Sequence, residues 1–224
     1  WSGGKDSAFA LWKLMNDPRY EVTRLHTTFG EESRRVGMHG IHEILVEKQA
    51  ESIGLPLDKI YYPSSGNNDE YEKAINTYLD ILKTEDIETI AYGDIYLEDL
   101  KIYREQQLAK RDFNALFPLW KKDTTEVAEN FIASGFQTLI CAADADLIEQ
   151  KWVGEVFDLE FLRNLPKTVD PCGENGEFHT FCFDGPIFQD RIAAIKKHSI
   201  SKSYHFKTEE SKEIEKKFWF AEIE

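Results

Sequence analysis

The sequence predicts an α/β fold: a parallel sheet covered on both faces by helices, followed by a smaller α+β part. Three observations carry this. Strand-like and helix-like periods alternate from the amino terminus to about Leu119, the pattern of βαβ units with parallel strands. Glycine and proline breaks separate those segments. Beyond Lys121–Asp123 the alternation becomes irregular, which places a boundary there and gives expected domains 1–122 and 123–224.

Taken in order, Ala8–Met15 has helical spacing and is stopped by Asp17-Pro18. Tyr20–Phe29 reads as a strand, and Ile41–Ile53 as a helix closed by Gly54 and Pro56. Lys59–Tyr62 is a short strand, Asn68–Lys83 a longer helix, and Ile87–Tyr92 a strand running into Gly93-Asp94. Leu97–Lys110 is helical again, and Ala115–Leu119 supplies a further strand. In the second half Thr124 or Thr125 caps a helix to about Ser134, ended by Gly135. Phe136–Ala143 is an apolar strand, Phe157–Asn164 a helix before Pro166, and Glu177–Phe183 an alternating strand. Arg191–Glu224 mixes strand-like and charged helical stretches.

Composition narrows the function classes. Hydrophobic residues are 42% of the 224 and aromatics 13%, enough for a core, so wholesale disorder is excluded. No apolar run reaches the ~18–20 residues of a membrane helix, so no membrane partner is expected. With 41 acidic and 27 basic residues the formal net charge is −14. Affinity for a phosphate backbone comes from Lys and Arg, so non-specific nucleic-acid binding is not expected. Three cysteines make no disulfide framework and fit a reducing compartment, which points to a cytoplasmic location.

Ser2-Gly3-Gly4-Lys5-Asp6-Ser7 carries the most chemistry. Two glycines allow φ > 0 and close approach of a ligand, turning successive N–H groups toward one point. The helix that follows aims the positive end of its dipole there too. Lys5 adds a cation, and Ser2 and Ser7 add hydroxyl donors. Together they describe an anion cradle suited to a nucleotide pyrophosphate. It is not a Walker loop, because GxxxxGK[ST] cannot be laid on these residues.

The string resembles the PP-loop of the ATP pyrophosphatase superfamily. The resemblance implies a HUP-like α/β/α sandwich with a five-stranded parallel sheet of order 3-2-1-4-5. It also implies ATP with Mg2+, and cleavage between the α and β phosphates with pyrophosphate left in the loop. The first strand would lie just before Ser2, with Trp1 as its last residue. Such a sheet reverses direction between its first and fourth strands, and ligands bind at that switch point. Gly93 and Asp94 then emerge beside the phosphate loop, Gly93 against the nucleotide and Asp94 as a catalytic and magnesium contact. Thr27 and Thr28 would face the adenosine.

Far downstream, Asp170-Pro171-Cys172-Gly173-Glu174-Asn175-Gly176-Glu177-Phe178-His179-Thr180 is a turn-rich polar loop entering a strand, dense in titratable groups. GENGEFHT is similar to the signature of the diphthine–ammonia ligase family. Met38-His39-Gly40, Gly93-Asp94-Ile95 through Glu98-Asp99 to Arg104-Glu105, and Pro118-Leu119-Trp120 match as well, so the resemblance spans residues 1 to about 185. It implies a ligase that adenylates a carboxylate with ATP, releases pyrophosphate and passes the acyl group to ammonia. In eukaryotic and archaeal members the acceptor is diphthine, a modified histidine of translation elongation factor 2. A small carboxylate is the alternative acceptor.

On this basis Lys5, Asp94, Glu174 and Glu177 are candidate catalytic residues, one of the two glutamates serving as base for ammonium. His39, Arg104, Asn175 and His179 are candidate acceptor contacts. The rival readings are weaker. A tRNA-thiolating enzyme commonly needs paired cysteines and a basic surface, whereas Cys141, Cys172 and Cys182 form no CxxC and the charge is −14. His179 and Cys182 fall on opposite faces of a strand, which disfavours a zinc site with Cys172. A non-catalytic nucleotide sensor needs no downstream carboxylates.

Overall fold

The computed structural model describes residues 1–63, 68–207 and 213–224. In the first half α1 (Lys5–Met15) is followed by β1 (Leu25–Gly30), α2 (Glu43–Ile53), β2 (Leu57–Tyr62) and α3 (Asn68–Thr84). β3 (Thr89–Ala91), α4 (Glu98–Ala109) and β4 (Asn114–Leu116) complete it. Helix α1 leaves the glycine turn directly, with Gly4 as its N-cap, rather than starting at Ala8. Strand β1 starts at Leu25 and not at Tyr20, because its ladder begins where the Leu25 amide donates to the Pro56 carbonyl. Gly54 closes α2 in the left-handed conformation that glycine takes without strain.

Both strand pairs are parallel, as the βαβ pattern predicts. Leu25 lies opposite Leu57 in one pair, and Thr89 opposite Asn114 in the other. Among the described residues they form two sheets of two strands, and no described strand joins β1 to β3.

The second half contains α5 (Thr124–Ala133), β5 (Gln137–Asp144), α6 (Leu159–Asn164), β6 (Phe178–Asp184), β7 (Lys196–Lys207) and β8 (Glu213–Ile223). The four strands make an antiparallel sheet of order β6-β5-β8-β7. Two expectations are corrected. Asp123, not Thr124 or Thr125, caps α5, its carboxylate accepting from the Glu126 amide at 3.0 Å. The carboxyl-terminal stretch holds no helix among the described residues but a long hairpin. Phe218 and Phe220 are buried with exposed Lys217 beside them, which is strand period and not helix period.

One apolar core runs through both halves. Phe9 of α1 meets Phe131 and Phe136 edge-on at 5.9 and 6.2 Å. Offset and edge-on ring pairs of this kind add stabilisation beyond the area they bury. A second cluster, with Ile60, Leu79, Leu82, Ile90 and Leu108, joins α3 and α4 to β2 and β3. The amino-terminal helix is therefore held by the second half, and so is the glycine turn from which it starts. Among the described residues no helix is long and apolar enough to cross a membrane.

Candidate active site

The glycine turn is gripped from behind. Gly3 has φ +76°, and an added Cβ would sit 2.5 Å from Gln49 Oε1. Its carbonyl accepts from Gln49 Nε2 at 2.9 Å and from the Cys182 amide of β6 at 2.7 Å. The Lys5 amide donates to Thr180 Oγ1 at 2.9 Å. In front, Ser2 Oγ donates to Ser7 Oγ at 3.2 Å, and Ser7 Oγ to the Gly4 carbonyl at 2.9 Å. The Gly3 and Gly4 carbonyls thus have protein donors, while the first-turn amides of α1 that follow Lys5 have no acceptor within their own helix. That is the polarity of an anion site.

The turn also meets the end of β3. A Cβ on Gly93 would lie 2.9 Å from the Asp6 carbonyl carbon and 3.0 Å from the Ser7 amide nitrogen, all backbone that cannot give way cheaply. We therefore expect Gly93→Ala to push the two loops apart and to weaken nucleotide binding by an order of magnitude or more, measured by calorimetric titration with ATP. Tight binding by a folded Gly93→Ala protein would show that the two loops do not share a ligand.

A cleft opens in front of the turn. It collects Ser2, Lys5, Asp6, Ser7, Thr27, Thr28, His39, Gly93, Asp94, Arg104, Glu174, Asn175 and His179, which the sequence places far apart. Gly3, Gly4 and Glu177 lie behind its lining. The Thr27 hydroxyl donates to the Trp1 carbonyl at 2.7 Å, so it serves the backbone. Thr28 is half-buried on the wall.

Lys5 points inward. Its ammonium meets both Asp6 oxygens at 2.7 and 2.8 Å and donates to the Cys172 carbonyl. The Phe157 and Phe178 rings lie 5.8 and 5.5 Å away. Burial alone would lower this ammonium, but the Asp6 carboxylate, with Cys172 and Glu174 acting in the same direction, more than offsets it, so the pKa lies above the ordinary lysine value.

The downstream loop closes on the cleft from the other side. Glu174 Oε1 accepts from the Ile95 and Tyr96 amides at 2.7 and 3.3 Å. Burial lifts its carboxyl to about 7, although those amides pull the other way. Glu177 is buried, and its carboxylate accepts from the Asp170 and Asn175 amides at 3.1 and 2.9 Å and from Asn175 Nδ2 at 2.9 Å. The Tyr96 hydroxyl donates to Asn175 Oδ1 at 2.9 Å. Glu177 is thus tied up in building the loop, while Glu174 and Asn175 both reach the facing wall, Asn175 through the Tyr96 hydroxyl.

Arg104 stacks on Tyr92, 4.1 Å from the ring centroid, and donates to Asp94 Oδ1 at 3.3 Å. Its Nε lies 2.9 Å from Asp94 Oδ2 but off the hydrogen-bond direction, leaving that buried oxygen without a hydrogen bond. Burial raises the Asp94 carboxyl above its ordinary value, and Arg104 offsets this in part. A carboxylate oxygen in that position, with Asp6 beside it, suits a hard divalent cation. Among the described residues no group of three or more His, Cys, Asp or Glu forms a metal cluster, and all three cysteines are free and buried.

Three contributors carry little sequence signal. Thr180 and Tyr96 lie within the matched stretches, but nothing in their type announces a role. Gln49 is a lone buried amide on α2 that also accepts from the Trp1 indole at 3.0 Å.

Fold and site together define an α/β protein whose glycine-rich anion loop is closed over by a second, acid-bearing loop. Residues 1–110 match the diphthamide synthase N-terminal domain, and residues 123–219 match the diphthamide synthase C-terminal domain. The chain belongs to the diphthamide synthase family, and its PP-loop and ATP-binding character follow from that membership. Among relatives named diphthine–ammonia ligase, the one from Danio rerio is 26% identical over 220 residues, covering 85% of this chain and 83% of that protein. The Homo sapiens relative is 27% identical over 220 residues, covering 85% and 79%. The Schizosaccharomyces pombe relative is 28% identical over 221 residues, covering 90% of this chain, which spans only 36% of that longer protein.

Proposed function

We propose that this protein is an AMP-forming ligase that activates a carboxylate with ATP and transfers the acyl group to ammonia. The observation that carries this reading is the meeting of two loops across one cleft. Lys5 ties the anion loop to Cys172, and Glu174 ties the acid-bearing loop to Ile95 and Tyr96. The α1 amino terminus, with Ser2 and Ser7, receives the pyrophosphate part of ATP, and Thr28 and Gly93 flank the rest of the nucleotide. Asp94, with Asp6 beside it and Arg104 holding it, is the place for Mg2+, which supplies neutralisation of phosphate charge when bound. Glu174 accepts a proton from ammonium. The freed nitrogen lone pair then forms the bond to the acyl carbon as the bond from that carbon to the AMP oxygen breaks, and the nitrogen gives its surplus proton to the departing AMP phosphate or to solvent.

The acceptor in this reading is a protein-borne carboxylate such as diphthine on a translation elongation factor, or a small carboxylate of similar reach. Three free thiols and a net charge of −14 fit a cytoplasmic setting without nucleic acid. We also propose the sheet order 3-2-1-4-5. The observed pairs supply 3-2 and 4-5, and a slot lined by Leu25, Leu79 and Ile90 separates them where strand 1 would run.

With ATP labelled at both the α and the γ phosphate, ammonium and an acceptor, we expect AMP and pyrophosphate in equal amounts, formed only when the acceptor is present. ADP and orthophosphate as products would sink the reading.

A further inference from the structure

We propose that His39 and His179 form a proton-accepting site that takes up one proton from solvent when pyrophosphate, free or as part of a nucleotide, settles in the Ser2–Ser7 loop. The proposal rests on reading that loop as a phosphate site.

The two rings come from distant segments, the turn after β1 and the start of β6, and their centroids lie 4.7 Å apart. His39 Nδ1 is 3.1 Å from the Thr180 carbonyl. A carbonyl only accepts, so Nδ1 carries the hydrogen, and in the neutral ring Nε2 carries the lone pair. Carbon Cε1 lies between these nitrogens, and a Cβ on Gly4 would sit 2.8 Å from it. Nε2 is therefore beside the anion loop. A lone pair at that place repels a phosphate oxygen, whereas an N–H attracts it, so binding of the anion and of a proton favour one another.

The ring is held in place rather than free to turn away. Arg35 donates to the Gly40 carbonyl at 2.6 Å and to Glu222 of β8 at 2.8 Å. A Cβ on Gly40 would collide with Phe220 at 2.6 Å, so the turn sits directly on β8.

The charges facing the pair keep it neutral before the anion arrives. Burial is the main cause, with the Lys5 ammonium of α1 adding to it for both rings. His39 lies at about 4, and His179 well below the ordinary histidine value. Asp6 compensates Lys5, and Glu174 stands on the opposite loop. Two imidazolium rings this close would repel, so one proton is shared by the pair.

The test is calorimetric titration of the full chain with inorganic pyrophosphate at pH 6, in buffers of different ionisation enthalpy. His39→Asn/His179→Asn keeps a donor for the Thr180 carbonyl and leaves neither ring to titrate. The wild type should take up about one proton more than this variant. Its affinity relative to that variant should rise by up to about tenfold per unit fall in pH. In parallel, imidazole nitrogen resonances of the wild type should show His39 or His179 passing from neutral ring to imidazolium on adding pyrophosphate, a readout that needs no variant. Equal proton counts in the two proteins, or rings that stay neutral in a pyrophosphate-bound wild type, overturn the proposal. Absence of pyrophosphate binding by either protein overturns the phosphate-loop reading itself, and this proposal with it.

Discussion

Replacing Glu174 by Gln is expected to slow amide formation by about 10²–10⁴-fold, the usual contribution of a positioned base, while ATP binding stays close to that of the wild type. The carboxylate is shared by two amides of the facing wall. Gln has the same shape and keeps a carbonyl oxygen for those amides, so the walls stay joined. What is lost is the negative charge and the ability to take a proton from ammonium. With its pKa at about 7, the residue is half ionised near neutrality. The ionised form is the base, so the wild-type rate should climb through pH 7 and then level, and this break should vanish in Glu174→Gln.

Stability runs the other way. The folded-state value lies above the ~4.3 of a free glutamate, so the fold favours the protonated carboxyl. That contribution is full below the unfolded value and is lost as pH rises through about 7. Glu174→Gln, neutral at every pH, should therefore melt no lower than the wild type at pH 8. A variant that melts lower while turning over at the wild-type rate would show that Glu174 only builds the loop.

Much of this site is legible in the sequence, because backbone chemistry leaves marks in residue type. Gly3 takes a positive φ, and Gly93 lies against the backbone of α1 where no Cβ fits. Position in a βαβ pattern then brings Asp94 beside Asp6. Side-chain partnership leaves no such marks. Glu174, Asn175 and Glu177 are equally polar residue types, yet Glu177 is committed within the loop while Glu174 and Asn175 reach Ile95 and Tyr96 across the cleft. The hairpin of β7 and β8 is obscured for a related reason. Its lysines and glutamates suit either a charged helix or a half-exposed strand, and only the burial of Phe218 and Phe220 against β5 decides between them. The fold's two halves share a core whose contacts cross more than a hundred residues, as between Phe9 and Phe136, and no local period encodes such pairing.

Lys5 shows the same limit and leads to the second large effect. A lysine in a glycine-rich loop suggests a cation aimed at phosphate, and its removal would then cost binding without unfolding. The structure turns it inward, with 3% of the side chain exposed, between Asp6, the Cys172 carbonyl and two aromatic faces. Lys5→Ala leaves a largely buried carboxylate and a buried carbonyl without their donor. Breaking such a pair by removing one partner costs about 3–5 kcal/mol, which in a chain of this size lowers the melting temperature by about 10 °C. The loop that carries Glu174 also loses its tie to the phosphate side, so turnover should fall together with stability. The double variant Lys5→Met/Asp6→Asn separates the two losses. It removes both charges and fills the space, so most of the stability should return. Turnover should not, because Asp6 no longer faces Asp94 as a carboxylate and no donor reaches Cys172. Differential scanning calorimetry beside product analysis reads both quantities on the same samples. A Lys5→Ala protein melting with the wild type would place the ammonium in the open cleft and return it to the phosphate.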